Sequence, residues 1–182
     1  VNTALFQSGN TRTAGFASVD IGAQGSFTKV LSVALMFIGG CPGSTAGGIK
    51  TTTLVVLLVT VGSTLRGREE SVVLRHRFAP VGVYKAMTVV LMGLGVVFAD
   101  ACAFTLLNPQ IRFIDLLYEA ASAFGTAGLS AGVTGKLEPL SRIILCLTMF
   151  IGRVGPVSFG LSIMMKMKTA PSILPEGRML IG

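Results

Sequence analysis

The chain has 182 residues, of which 51% are hydrophobic and only 13% charged, with a mean hydropathy of +0.75. Soluble domains carry about 25% charged residues, so the composition excludes an ordinary water-soluble globule and predicts an all-α integral membrane protein. The formal charge of +7 would suggest nucleic acid in a soluble protein. Here the basic residues sit at the ends of apolar runs, where membrane topology accounts for them and no nucleic-acid partner is needed.

Val1 to Asn10 is too short to cross a bilayer. It predicts a short helix ended by Gly9-Asn10. Thr11-Arg12-Thr13-Ala14-Gly15-Phe16 follows, then a Gly/Ser/Asp-rich connection through Ser26. Two apolar runs come next, Phe27 to Gly40 and Thr51 to Leu65. Between them lies Gly39-Gly40-Cys41-Pro42-Gly43-Ser44-Thr45-Ala46-Gly47-Gly48. A spanning helix needs about 20 apolar residues, and neither run suffices alone. We read one membrane helix with an unwound centre, which must line a cavity or be covered by protein, because open backbone cannot face lipid.

Arg66 to Phe78 is the most charged stretch, and its arginines place it in the cytoplasm. Val81 to Leu107 predicts a full span running outward, and Asn108 to Gln110 a turn. Ile111 to Phe124 predicts a re-entrant helix, with Ile111, Ile114, Leu117 and Tyr118 on one face. Gly125 to Ser130 is its loop. Leu140 to Met165 predicts the last span, running inward to Lys166 and Lys168. Cys41, Cys102 and Cys146 are widely separated in apolar sequence, and the single histidine, His76, lies in the basic loop. Neither a disulfide framework nor a His-based metal cluster follows from them. The chain opens without Met, and we read it as lacking an N-terminal part.

An internal repeat organises these elements. Gly125-Thr126-Ala127-Gly128-Leu129 restates Thr11 to Phe16, with Gly128 lying 113 residues after Gly15. Met149-Phe150-Ile151-Gly152 follows Met36-Phe37-Ile38-Gly39 at the same offset of 113. The unit reads as outer helix, re-entrant helix, loop, inner helix. It is complete once and lacks its outer helix in the first copy. Repeats around a midplane site are a common transporter design.

The loops carry the chemistry. A dehydrated alkali cation needs oxygen ligands, and backbone carbonyls supply them in potassium filters. Glycine permits the backbone angles that such a row of carbonyls requires. A short helix before each loop directs its negative end at the site, which favours a cation. Asp20, Asp115, Glu119 and Glu138 flank the loops, either concentrating cations at the mouth or serving as solvated caps. Asp100 sits inside a predicted span, so a partner is expected for it. Arg153, matched by the offset to Gly40, interrupts the last span. It predicts a buried cation beneath the filter, either lining the pore as an electrostatic barrier or bonded to carbonyls of the Gly-rich break.

Gly43 to Thr51 nearly fits a phosphate-loop pattern, but Ile49 is one residue too many and no preceding strand is in prospect. No Ser-His-Asp set or paired intramembrane carboxylate points to an enzyme. A sodium-coupled solute transporter using the helix break, or a non-transporting membrane scaffold, are the other readings.

Four motifs in order, Thr-Arg-Thr-Ala-Gly-Phe, Gly-Gly-Cys-Pro-Gly-Ser-Thr-Ala-Gly-Gly-Ile-Lys-Thr, Phe-Gly-Thr-Ala-Gly-Leu-Ser and Phe-Ile-Gly-Arg-Val-Gly-Pro, resemble the membrane subunit of the Ktr/Trk/HKT potassium-transporter superfamily, with the bacterial Ktr type nearest. The C-terminal Pro175 to Gly182 is similar too. The resemblance implies four M1–P–M2 repeats (helix, pore helix and loop, helix) around one pore. Residues 1–78 would be the pore loop and broken inner helix of the third repeat with a cytoplasmic loop. Residues 79–182 would be the fourth repeat and a C-terminal tail. Thr11, Arg12, Thr13, Ala14, Gly15, Gly125, Thr126, Ala127 and Gly128 would form the K+ filter. Gly39, Gly40, Gly43, Ser44, Thr45, Gly47, Gly48 and Lys50 would form a gating loop, with Arg153 beneath the filter. It further implies a multi-pass subunit of a bacterial cytoplasmic membrane, dimeric, bound to lipid and to a cytosolic ring of nucleotide-binding (RCK-type) regulatory subunits. Na+ would be an activator and K+ the transported ion. With two of four loops absent, this chain alone would not form a pore.

Overall fold

The structure, a computed structural model, describes residues 2–16, 19–44, 46–67, 72–73, 76–77 and 80–155. The named elements among the described residues are helices apart from a two-residue antiparallel pairing of β1 (Val72–Val73) with β2 (His76–Arg77) in the basic loop. The helices are α1 (Asn2–Asn10), α2 (Ser26–Phe37), α3 (Thr51–Leu65), α4 (Pro80–Leu107), α5 (Phe113–Gly125) and α6 (Pro139–Val154), with a 3-10 turn at Thr134–Lys136.

Helix α5 is the centre of the fold. It packs against α2, α4 and α6, and nine of its thirteen residues are buried, from Leu116 through Gly125. Small residues make this possible. Ala120, Ala121, Ser122, Ala123 and Gly125 let three helices approach one short one. A methyl group on Gly125 would lie within 2.4 Å of the Met36 carbonyl oxygen, and one on Gly152 within 2.0 Å of the Phe124 carbonyl oxygen. The end of α5 is thus wedged between α2 and α6. The Phe124 ring stacks on Phe37 with centroids 5.6 Å apart, and α4 reaches it at Gly93.

Helix α4 is the one helix among the described residues that is long and apolar enough to cross a membrane. At 28 residues it measures roughly 42 Å, beyond the ~30 Å hydrocarbon core. Ala86, Gly93, Val97, Asp100, Ala101 and Phe104 recur at helical spacing and are buried. Leu91, Leu94, Phe98 and Leu106 are exposed. An apolar outer face over a tightly packed inner one is the pattern that lipid allows.

The 113-residue offset holds for the elements as well as the motifs. Helix α2 begins at Ser26 and α6 at Pro139. The expected broken helix is present: α2 stops at Phe37 and α3 starts at Thr51. Helix α6 is described from Pro139 to Val154 and is followed by Gly155 at φ +92°. The remainder of the expected Leu140 to Met165 span, with Lys166 and Lys168, lies outside the described residues.

Candidate ion pathway

Both loops descend from the C-terminal end of a short helix. After α1, Thr11 and Arg12 extend the helical bonding by one turn, Thr11 N donating to Gln7 O and Arg12 N to Gly9 O. The Thr11 hydroxyl also bonds back to Ser8 O at 2.7 Å. Thr13 and Gly15 then adopt φ +66° and +69°. After α5, Thr126 and Gly128 adopt φ +51° and +76°. These are the same two positions in each loop at the offset of 113. A β-branched residue with positive φ is a true outlier, and backbone held this way concentrates at functional sites. Two matched outliers, in two separate loops, show that the loop shape is imposed and not accidental.

The loops meet. A methyl group on Gly15 would sit 3.4 Å from the Ala127 carbonyl oxygen, and one on Gly128 3.4 Å from Cα of Gly15. Ala14, Gly15 and Gly128 are exposed, Arg12 is exposed, and Ala127 is buried. The two glycine loops therefore lie side by side with their glycine backbone open to one surface.

The Gly-rich break packs against the second loop. Gly47 N donates to Thr126 Oγ1 at 3.0 Å, and Gly48, at φ +70°, lies against Cα of Gly125. The break closes on itself through Gly39 N to Ile49 O at 2.8 Å, Ile49 N to Phe37 O at 3.1 Å and Thr51 N to Gly40 O at 3.1 Å. This pairing sets Ile38 beside Ile49, so the chain leaves α2, makes an excursion and resumes as α3 from nearly the point it left. Gly39 has to be glycine, because a methyl there would fall 2.0 Å from the Gly47 carbonyl oxygen. Lys50 turns back into the excursion, its Nζ donating to Ala46 O at 2.7 Å and Ser44 O at 3.2 Å. Gly43 and Ser44 are exposed at its tip. Thr45 lies outside the described residues.

Three expectations are corrected. Arg153 is exposed on the last turn of α6, not buried. Asp115 is no solvated cap. It pairs with Lys29 Nζ at 2.6 Å, the side chains being 14% and 4% exposed. Glu119 is buried and accepts from the Ser130 hydroxyl at 2.5 Å, Ala131 N at 3.2 Å and the Thr134 hydroxyl at 3.0 Å. It braces the segment after the second loop instead of facing the mouth. Asp20 and Glu138 are exposed. Asp100 has the partner expected of it, the Thr148 hydroxyl at 2.5 Å.

Lys29 escaped the sequence reading although the signal was present, a charge inside the apolar run Phe27 to Gly40, which in a membrane segment calls for a partner. Its Nζ also donates to Gly22 O at 3.0 Å. The residue matched to it, Arg142, donates through Nη2 to Gly135 O at 2.8 Å, and Gly135 is the residue matched to Gly22. The same tether thus joins inner helix to connection in both halves. Asn10 was read only as a helix breaker, yet its side chain bonds both N–H and C=O of Phe16.

Comparison with known proteins agrees with this geometry. Residues 1–172 match the family described as TrkH, cation transport protein. The chain is 39% identical over 181 residues to the Ktr system potassium uptake protein B of Bacillus subtilis, covering 98% of this chain and 40% of the relative. It is 34% identical over 183 residues to the potassium/sodium uptake protein NtpJ of Enterococcus hirae, covering 98% and 41%. Against the Ktr system potassium uptake protein B of Vibrio alginolyticus the identity is 32% over 181 residues, covering 98% and 39%. The chain thus spans about two fifths of the length of these relatives. Matched motifs, apolar helices and two glycine loops lead to one conclusion: the chain belongs to the TrkH family of membrane cation transport proteins, of the Ktr/Trk kind, a family of transporters and not of enzymes.

Proposed function

We propose that this chain contributes two of the pore-forming M1–P–M2 units of a potassium-uptake protein, the ion passing over the backbone carbonyls of Thr11 to Gly15 and of Gly125 to Gly128. The observation that carries this reading is the pair of matched positive-φ loops lying side by side at the ends of α1 and α5. Carbonyls exchanged for hydration water are the ligands that K+ requires. The C-terminal, negative ends of α1 and α5 lead into the loops and favour a cation there. Relatives named for potassium uptake support K+ as the substrate, and Na+ is proposed as an activator.

In this reading the excursion from Gly39 to Lys50 is the gate. It lies directly against the second loop, and its bond from Gly47 to Thr126 ties its position to that of the filter. Arg153, on the turn of α6 matched to Gly40, places a fixed positive charge on the inner side of the path. A closed ring of four units needs two more, and the longer relatives have room for them. The full assembly is then a dimer of multi-pass subunits in a bacterial cytoplasmic membrane, bound by lipid and by a cytosolic RCK-type nucleotide-binding ring. Residues 1–78 belong to its third repeat and residues 79–182 to its fourth.

The test is rubidium and potassium uptake by the full-length parent protein, in cells lacking their own uptake systems, with and without sodium. The expected result is saturable K+ and Rb+ uptake, faster with Na+. Absence of uptake from well-inserted protein, with its regulatory subunit present, would contradict the proposal.

A further inference from the structure

The residue that follows each loop glycine is held to the preceding short helix, but by different side chains in the two halves. In the first, Asn10 is 2% exposed and grips Phe16 twice, its Oδ1 accepting from Phe16 N at 2.9 Å and its Nδ2 donating to Phe16 O. In the second, Ser122 is 5% exposed and its Oγ accepts from Leu129 N at 3.1 Å. Phe16 and Leu129 are matched by the 113-residue offset. The holding residues are not: Asn10 matches Ala123, and Ser122 matches Gly9. The same backbone N–H has thus been secured from two neighbouring positions of the helix.

That backbone lies immediately beyond Gly15 and Gly128, so its position fixes the peptide that carries each glycine's carbonyl. The Leu129 N–H bond is buried and the Phe16 N–H bond partly so, and leaving either N–H without its acceptor is costly. We propose that Asn10 and Ser122 are positioning residues for ion selectivity. Each acts through the residue after the glycine and sets where the Gly15 and Gly128 carbonyls stand. The proposal rests on the filter reading above. The first loop is held by two bonds of one side chain. The second has one side-chain bond but also the backbone bond of Ala127 N to Ser122 O at 2.9 Å and the Glu119 brace behind it. Selectivity therefore depends more on Asn10 than on Ser122.

The experiment measures K+ and Na+ uptake in the full-length parent, with maximal rate and KM taken separately and the amount of inserted protein measured for each variant. Asn10→Ala is expected to lower the preference for K+ over Na+ roughly tenfold, and Ser122→Ala roughly threefold, in line with two lost bonds and one. If Asn10→Ala inserts poorly, Asn10→Asp keeps the size and the acceptor but loses the donor, and a partial loss of preference is expected. Well-inserted Asn10 and Ser122 variants with wild-type preference would overturn the proposal, provided Gly15→Ser or Gly128→Ser alters preference in the same assay. If the glycine variants are also without effect, it is the filter reading that fails.

Discussion

Helices α2 and α6 begin 113 residues apart and diverge at one level. Helix α2 ends at Phe37, and the chain makes its excursion before resuming at Thr51; α6 runs on through Gly152 and Arg153 to Val154. The matched glycines show why. Gly39 is pressed by Gly47 of its own excursion, whereas Gly152 is pressed by Phe124 at the end of α5. One glycine accommodates a loop and the other accommodates a helix. A unit used twice can therefore keep its loop geometry and change what ends its inner helix, the excursion from Gly39 to Lys50 in one half and a continued helical turn carrying Arg153 in the other.

The sharpest way to break this comparison is at Gly152. A methyl there would collide with backbone that cannot move freely, since Phe124 is packed by α2 and α4 as well. Gly152→Ala is expected to cost at least about 2 kcal/mol and to reduce inserted full-length protein several-fold, read by detergent-solubilised yield and thermal midpoint. Gly39→Ala, by contrast, should displace the excursion and leave the helices assembled.

Next in size is the tether. Lys29 and Arg142 occupy matched positions and bond matched carbonyls, but Lys29 is buried with Asp115 while Arg142 is exposed. Removing one member of a buried pair strands the other charge, so Lys29→Met is expected to cost about 3 kcal/mol. The thermal midpoint of the full-length parent should fall clearly. Arg142→Ala, in the same assay, should cost about 0.5 kcal/mol or less. Equal effects would mean that burial of the Lys29 pair contributes nothing.

A smaller effect is expected at Thr126. Thr126→Val keeps the branched shape at a positive-φ position but deletes the acceptor of Gly47 N. The loss of one bond, about 1 kcal/mol, should free the excursion and raise uptake about fivefold with K+ preference kept. Thr126→Ser should behave as wild type.

Much of this was legible in the sequence because the signals were covalent in origin. Glycine at Gly15 and Gly128 and the run from Gly39 to Gly48 mark unusual backbone whatever packs around it, and hydropathy marks Val81 to Leu107 as a span. The offset of 113 made each half a check on the other. The side-chain partnerships were less legible. Nothing in the spacing says that Glu119 reaches Ser130 and Thr134, or that Lys29 meets Asp115 across 86 residues. Such pairs depend on how α2 and α5 cross, which periodicity does not encode. Arg153 was read as buried because apolar residues surround it in sequence, but neighbours along a helix point in other directions, and the residue is exposed.

The central claim is that the two glycine loops act together as one selectivity filter for K+. The most direct test compares Gly15→Ser with Gly128→Ser in the full-length parent, measuring uptake of K+ against Na+ in the same cells. Both positions have positive φ and both are open to the same surface, so both substitutions should lower the preference for K+ and in the same direction. Loss of preference in neither, with uptake and insertion intact, would contradict the account.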